Sequence, residues 1–402
     1  VIKHHEGILV RSGARGDALE VSTQNQARPA VAQRCRCTDL TSSAEALLFG
    51  VSKSGCGGGA CLFICSIVHL MKTPQFIQQH HEKVQSIRAE LLWGLNANPA
   101  KNGAFTSPKY LYDTLGSRLF EAITELPEYY PTRTENAIFL AHGAAITNHV
   151  PQDAALIDLG AGNCQKAASL FERFKPARYI AVDISVDFLR ATLSALQGQH
   201  PHMAMAGVGM DFSHSLALPS AALGDIALPQ VFFYPGSSIG NFTPDEALAF
   251  LQRIRAACPQ PGTQPKQSGL LIGIDLVKDK VPLEAAYNDA LGVTAAFNRN
   301  VLLSLNRLIG SNFALADWSH VALYNEQLSR IEMHLQARRA VTVCWSGGQR
   351  IFQQGERIHT ENSYKWTTQG FSALLERAGF TPPTVWTDAQ NTYAVMWAAA
   401  SQ

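Results

Sequence analysis

Two periodicities divide the chain. Between residues 155 and 275, short apolar runs at 155–159, 178–182, 203–208, 230–235 and 269–275 alternate with helically spaced stretches at 164–174, 186–197 and 244–257. Continuous apolar runs bounded by turn residues predict strands buried on both faces. Their alternation with amphipathic helices predicts an α/β domain with a parallel sheet. The helix at 244–257 carries its own start signal in "NFTPDEALAFL". Thr243 stands as N-cap, Pro244 at the first helical position and Glu246 at the third, which is a capping box.

The flanks read differently. Residues 74–95 are expected to be one helix, from Ile77, Val84, Ile87, Leu91 and Leu92. In "SPKYLYDTLGSRLFEAITELPEYYPTRTE" (107–135), Leu115, Leu119, Phe120, Ile123 and Leu126 share a helical face. Pro127 and Pro131 then bracket Glu128, Tyr129 and Tyr130, where proline geometry forbids a continuous helix. Two tyrosines held in this way are candidates for a substrate lid. Beyond 279 the alternation stops for a helical portion, about 283–309, and the strand-like "RIEMHLQARRAVTVCW". A helix at 370–378 and two strands, "TPPTVWTDA" and "TYAVMWAAA", follow. A parallel sheet that closes on such a hairpin predicts seven strands, the last of them antiparallel.

Composition narrows the function classes. Lys+Arg number 33 against Asp+Glu 32, a formal net charge of +1, which gives no electrostatic footprint for nucleic acid or an anionic membrane. The longest apolar stretch, "ACLFICSIVHLM", is too short to span a bilayer. Cys35, Cys37, Cys56, Cys61 and Cys65 crowd the start without the paired C-x-x-C spacing of a zinc site, while Cys164, Cys258 and Cys344 are isolated, as in a reducing cytosol. His80, His81, His200 and His202 are expected to be solvated, and no metal site is expected. The first methionine is Met71. Residues 1–70, without a clear period, are expected to be a disordered leader or an upstream extension, with the working protein starting near Met71. The segments are then expected to be 71–150, helical and lid-bearing; 151–279, cofactor-binding; 280–365, a substrate-binding insertion; and 366–402, the return to the sheet. The expected protein is a cytoplasmic monomer acting on a small molecule.

The loop in "LIDLGAGNCQKAASLF" carries the first chemistry. A dinucleotide site wants G-x-G-x-x-G, but Gln165 fills the third glycine's place after Gly160 and Gly162. Asp158 precedes the glycines, Asp183 ends the second strand, and Asp211-Phe212 ends the third. A carboxylate at 183 can accept both ribose hydroxyls. Asp211 and Phe212 can take an adenine amino group and cover its ring. NAD would satisfy the ribose acid equally well. The shortened glycine pattern favours S-adenosylmethionine, which has no pyrophosphate to cradle.

Beyond the glycine block, the chain resembles the histidine-specific Nα-methyltransferases of ergothioneine biosynthesis. "PEYYPTRTE", "YPGSSIGNFTPDEA", "IGIDLVKD", "AAYNDALGVTAAFNRNVL", "RIEMHL" and "GERIHTENSYKW" carry the resemblance, from about 107 to 400. It implies a Rossmann-like class I methyltransferase sheet with an inserted α+β substrate-binding subdomain, and S-adenosylmethionine as methyl donor. It implies cofactor contacts at Gly160, Lys166, Asp183, Asp211 and Phe212. It also implies an L-histidine pocket of Tyr112, Tyr129, Gly236, Asn241, Tyr287, Met333, Glu361 and Ser363. Glu361 and Ser363 would read the imidazole, Asn241 and Tyr287 would hold the amino-acid end, and Tyr112 and Asn241 would serve catalysis. Asn163-Cys164 and Leu111 are mild departures. The expected product is the trimethylated betaine, hercynine. A thiohistidine methyltransferase and a non-catalytic cofactor-binding domain are the alternatives.

The residue types suit that chemistry. Methyl transfer to an amine is an in-line displacement for which alignment can supply roughly 7–11 kcal/mol of barrier. Neutral Asn241 and Tyr287 can direct an amine, and tyrosine faces suit a quaternary ammonium product.

Overall fold

The computed structural model describes residues 72–401, apart from 80–83, 98–102, 185, 214, 225–227 and 260–266. The expected leader, residues 1–70, together with Met71, His80 and His81, lies outside the described residues.

The strands are β1 (Gln75–Gln78), β2 (Ala104–Phe105), β3 (Ala155–Leu159), β4 (Arg178–Asp183), β5 (Ala204–Gly209), β6 (Gln230–Tyr234) and β7 (Gly269–Asp275). There follow β8 (Trp318–Asn325), β9 (Arg330–Ala337), β10 (Val341–Trp345), β11 (Gly348–Phe352), β12 (Arg357–Tyr364), β13 (Thr384–Thr387) and β14 (Tyr393–Ala399). The main sheet has the order β1-β5-β4-β3-β6-β7-β14-β13. Its seven expected strands are all present, and β14 runs antiparallel to both β7 and β13. Apolar clusters cover both faces. One packs helices Pro244–Ala257 and Thr368–Arg377 through Phe250, Leu251, Phe371 and Leu375, and the other packs Ile138, Phe139 and Phe171. Two buried faces explain why the central strands read as unbroken apolar runs.

Four expectations need correction. Residues 74–95 are not one helix. Pro74 leads into β1, which pairs parallel with β5 from Gln75↔Ala206 to Gln78↔Gly209 and adds an eighth strand. The helix there is Val84–Leu95. Open hydrogen-bonding groups on the edge of β5 outweighed the local helical spacing. Residues 164–174 form two short turns, Gln165–Ala168 and Phe171–Phe174, with the Ser169 hydroxyl donating to the Lys166 carbonyl at 2.7 Å. The helix expected at 283–309 is broken into Lys280–Tyr287 and Val293–Ile309. Gly292 takes φ +76° between them, and the Asp289 carboxylate caps the second helix by accepting from Val293 and Thr294 N–H at 2.9 and 2.8 Å. Leu115 is exposed, whereas Ile123 and Leu126 of its expected face are buried. The capping box forms as read: the Thr243 hydroxyl accepts from Glu246 N–H, and the Glu246 carboxylate accepts from Thr243 N–H at 2.9 Å.

A second sheet, β2-β12-β9-β8, packs on helix Val293–Ile309 around a separate apolar cluster. Two segments between strands of the main sheet build that cluster, with Leu111 and Tyr129 from between β1 and β3 and Phe297 and Met333 from between β7 and β13. Among the described residues, no helix is long and apolar enough to cross a membrane.

Candidate active site

The loop after β3 lies at the C-terminal edge of the main sheet. Gly160 and Gly162 adopt φ +72° and +51°, where a side chain would be strained. The Asp183 carboxylate, at the end of β4, accepts from Gly162 N–H at 3.0 Å and so ties the loop to the next strand. Asp211 follows β5. Its Oδ1 accepts from Ser213 N–H at 3.0 Å, while Oδ2 is buried, makes no hydrogen bond and lies 3.7 Å from Lys109 Nζ. Phe212 is half-buried against Tyr234 and Phe250. Asp158, the first strand-end acid, is instead 2% exposed and accepts from the Tyr179 hydroxyl at 2.8 Å. Burial pushes its carboxyl up to about 7.

A cavity opens beside the loop after β6. The structure brings Tyr112, Tyr129, Gly236, Asn241, Tyr287, Met333, Glu361 and Ser363 together around it, joined by Phe120 and Phe297, to which the sequence reading gave no role in the site. Tyr112 follows the turn Pro108–Leu111, Tyr129 caps helix Tyr130–His149, and Tyr287 ends helix Lys280–Tyr287. Their rings meet edge to face: Tyr112 with Phe120 at 5.6 Å and Phe297 at 5.5 Å, and Tyr129 with Tyr287 at 6.3 Å. Burial raises the pKa of all three tyrosines, so their hydroxyls remain neutral.

Gly236 and Asn241 belong to the loop after β6, where Gly236 has φ +77°. Gly240 lets that loop lie on β12: a Cβ there would stand 2.9 Å from the Tyr364 carbonyl oxygen.

Glu361 and Ser363 reach the cavity through a β-bulge. His359 pairs with His334 and Glu361 with Met333, leaving Thr360 as the extra residue. The Thr360 hydroxyl donates to Asn298 Oδ1 at 2.7 Å and the Met333 carbonyl at 3.0 Å. Paired residues share a face, so the bulge puts Glu361 and Ser363 beside Met333, on the same side as Ile358. Glu361 is 7% exposed, and its Oε2 has no hydrogen-bond partner. Burial pushes its carboxyl up to about 8, with the Lys365 charge opposing the rise.

Two buried networks carry residues that received no role in the sequence reading. Glu135, fully buried, accepts from Gly236 N–H at 2.9 Å and the Tyr393 hydroxyl at 2.8 Å, and it pairs with Lys166. Lys166 thus joins the glycine loop to the Gly236 loop; a Cβ on Gly236 would lie 3.5 Å from its Nζ. In the second network, Asp275 at the end of β7 pairs with Lys278 and, at 2.8 Å, with Lys365, and it accepts from the Tyr130 hydroxyl at 2.6 Å. Burial works against the ionised form of Asp275, yet the two lysines hold its carboxyl below the usual range. Glu135, Asp275, Lys278 and Lys365 lie within the distinctive blocks, but nothing local marks them: a buried ion pair is a property of the folded arrangement.

A family model described as histidine-specific methyltransferase, SAM-dependent, matches residues 87–400. The chain belongs to that family. It is 37% identical to the histidine N-alpha-methyltransferase of Mycolicibacterium smegmatis over 318 residues, covering 77% of this chain and 94% of that protein. With the enzyme of the same name from Mycobacterium tuberculosis, identity is 36% over 321 residues, covering 78% and 95%. Ergothioneine biosynthesis protein 1 of Neurospora crassa is 30% identical over 287 residues, 69% of this chain and 31% of that longer protein. The matched range contains the cavity-lining residues and, apart from β1, the strands of both sheets.

Proposed function

We propose that this chain transfers methyl groups from S-adenosylmethionine to the α-amino nitrogen of L-histidine, giving hercynine in ergothioneine biosynthesis. The observation that carries the reading is a buried acceptor without a partner, Glu361 Oε2, beside the Ser363 hydroxyl on one wall of an aromatic cavity. An imidazole has an N–H for the first and a ring nitrogen for the second. The family's own description and the names of its relatives support the same substrate.

The cofactor residues fit S-adenosylmethionine. Asp211 Oδ2 is an unsatisfied buried acceptor that suits an adenine amino group, and Phe212 beside it offers a ring face. Asp183, already in reach of the glycine loop, suits the ribose hydroxyls. Lys166 and Gly160 would flank the methionine tail. Bound there, the cofactor supplies a methyl group on a sulfonium, and each transfer forms a C–N bond while the C–S electron pair returns to sulfur. The chain's residues then have to orient an unprotonated amine and tolerate a growing cation. Asn241 and Tyr112 would hold the amino group; neutral phenols accept from an ammonium without trapping it as an ion pair. Tyr129, Tyr287 and Met333 would close the pocket around the backbone and ring, and the tyrosine faces accommodate the quaternary product. Tight placement, rather than a strong base, supplies the rate.

The test is direct. The full chain is incubated with S-adenosylmethionine and, separately, with histidine, a thiohistidine, phenylalanine or tryptophan, and the product masses are recorded. Trimethylated histidine alone is the expected result. Transfer to the thiohistidine with histidine unmodified would overturn the substrate assignment.

A further inference from the structure

Ser363 Oγ is saturated as an acceptor. The Tyr287 hydroxyl donates to it at 2.7 Å and Lys365 Nζ at 2.8 Å, and a serine oxygen has two lone pairs. The serine's own proton must therefore leave in a third direction, and Ser363 lines the cavity. Reversing the Tyr287–Ser363 bond moves the outgoing proton to Tyr287, which also lines the cavity and whose oxygen then accepts from Ser363 and, at 3.5 Å, from Lys365 Nζ, while one Ser363 lone pair is freed. Lys365 imposes this polarity because an ammonium can only donate. Its side chain is 0% exposed and pairs at 2.8 Å with the Asp275 carboxylate, which is itself held by Tyr130 and Lys278. Nζ also lies 5.1 Å from the centre of the Tyr287 ring.

We infer that Lys365, anchored by Asp275, is a positioning residue that locks the Tyr287–Ser363 hydroxyl pair as an O–H donor toward the cavity, so that the site accepts a five-membered heteroaromatic side chain with one N–H and one bare nitrogen. Glu361 takes the N–H, and the locked hydroxyl requires the bare nitrogen. This rests on the histidine reading above and adds what enforces it: Lys365 does not line the cavity, but it sets the polarity of one that does.

The experiment compares L-histidine with the two pyrrolylalanine isomers, each keeping one ring N–H and replacing the other nitrogen by C–H. Dissociation constants are measured by calorimetry on the full chain in the presence of S-adenosylhomocysteine. The wild type should bind histidine at least roughly ten-fold more tightly than the better pyrrole, because the pyrrole leaves a buried hydroxyl proton unsatisfied. In Lys365→Met the hydroxyl pair is free to turn its proton toward Asp275, and that ratio should fall to within about three-fold, whereas Lys365→Arg should keep it. A purely structural lysine would weaken both ligands alike and leave the ratio unchanged, which would overturn the inference. A wild-type ratio near one would overturn it as well, and this arm does not depend on any variant folding. If the wild type neither binds nor methylates histidine, the functional reading itself fails, and that outcome is distinguishable from both.

Discussion

Replacing Glu361 by glutamine should make the ligand-free protein more stable in alkali while impairing histidine binding. The carboxyl is buried and titrates near 8, against an ordinary value of 4.5. The sign follows from proton counting. Below about 4.5 the folded and unfolded chains both hold the proton. Between 4.5 and about 8 the folded chain keeps a proton that the unfolded chain has released, so stability falls as pH rises. Each pH unit in that interval costs roughly 1.4 kcal/mol, for a ceiling of ~5 kcal/mol above pH 8. Relaxation around the ionised group reduces this, so ~2–5 kcal/mol is the expected gain for Glu361→Gln at pH 8.5, shrinking to below ~1 kcal/mol near pH 5. Urea unfolding of both proteins at the two pH values measures it. The amide can still accept, but above pH 8 it lacks the carboxylate's charge, so there histidine should bind roughly ten-fold or more weakly, while S-adenosylmethionine affinity is unchanged. Parallel stability–pH curves for the two proteins would refute the placement of Glu361 as a buried carboxyl without a partner.

Gly240→Ala should lower histidine turnover sharply and cost ~1–3 kcal/mol in unfolding, because its Cβ would press on the Tyr364 backbone and push the Asn241 loop off β12. Kinetics with histidine and a urea titration read both effects. Asp183→Asn should weaken S-adenosylmethionine binding by roughly ten-fold or more in calorimetry, with the melting temperature nearly unchanged, since a charged acceptor is lost. Thr243→Ala removes the hydroxyl of the capping box and should cost ~1 kcal/mol of stability without altering turnover, as the cap is exposed.

The sequence by itself determined the α/β sheet, because strands buried on both faces must be written as continuous apolar runs, and the capped helix after Thr243, because a capping box is a local device. It also supplied the glycine loop with Asp183 and Asp211, and, through the distinctive blocks, the residues that gather at the cavity. Tertiary structure decided the rest. Residues 75–78 became a strand because β5 had an open edge, which no local pattern announces. Leu115 faces solvent although its spacing placed it with Ile123. The partnerships of Glu135 with Lys166, and of Asp275 with Lys365, join residues distant in the chain, whose charges are tolerable in the interior only once they meet. The bulge at Thr360 is the sharpest case. Strict alternation from buried Ile358 would point Thr360 and Asn362 inward; one extra residue against Met333 inverts the faces and turns Glu361 and Ser363 into the cavity. Period-two patterning fixes a face only while the register runs unbroken, and that register is set by the neighbouring strand.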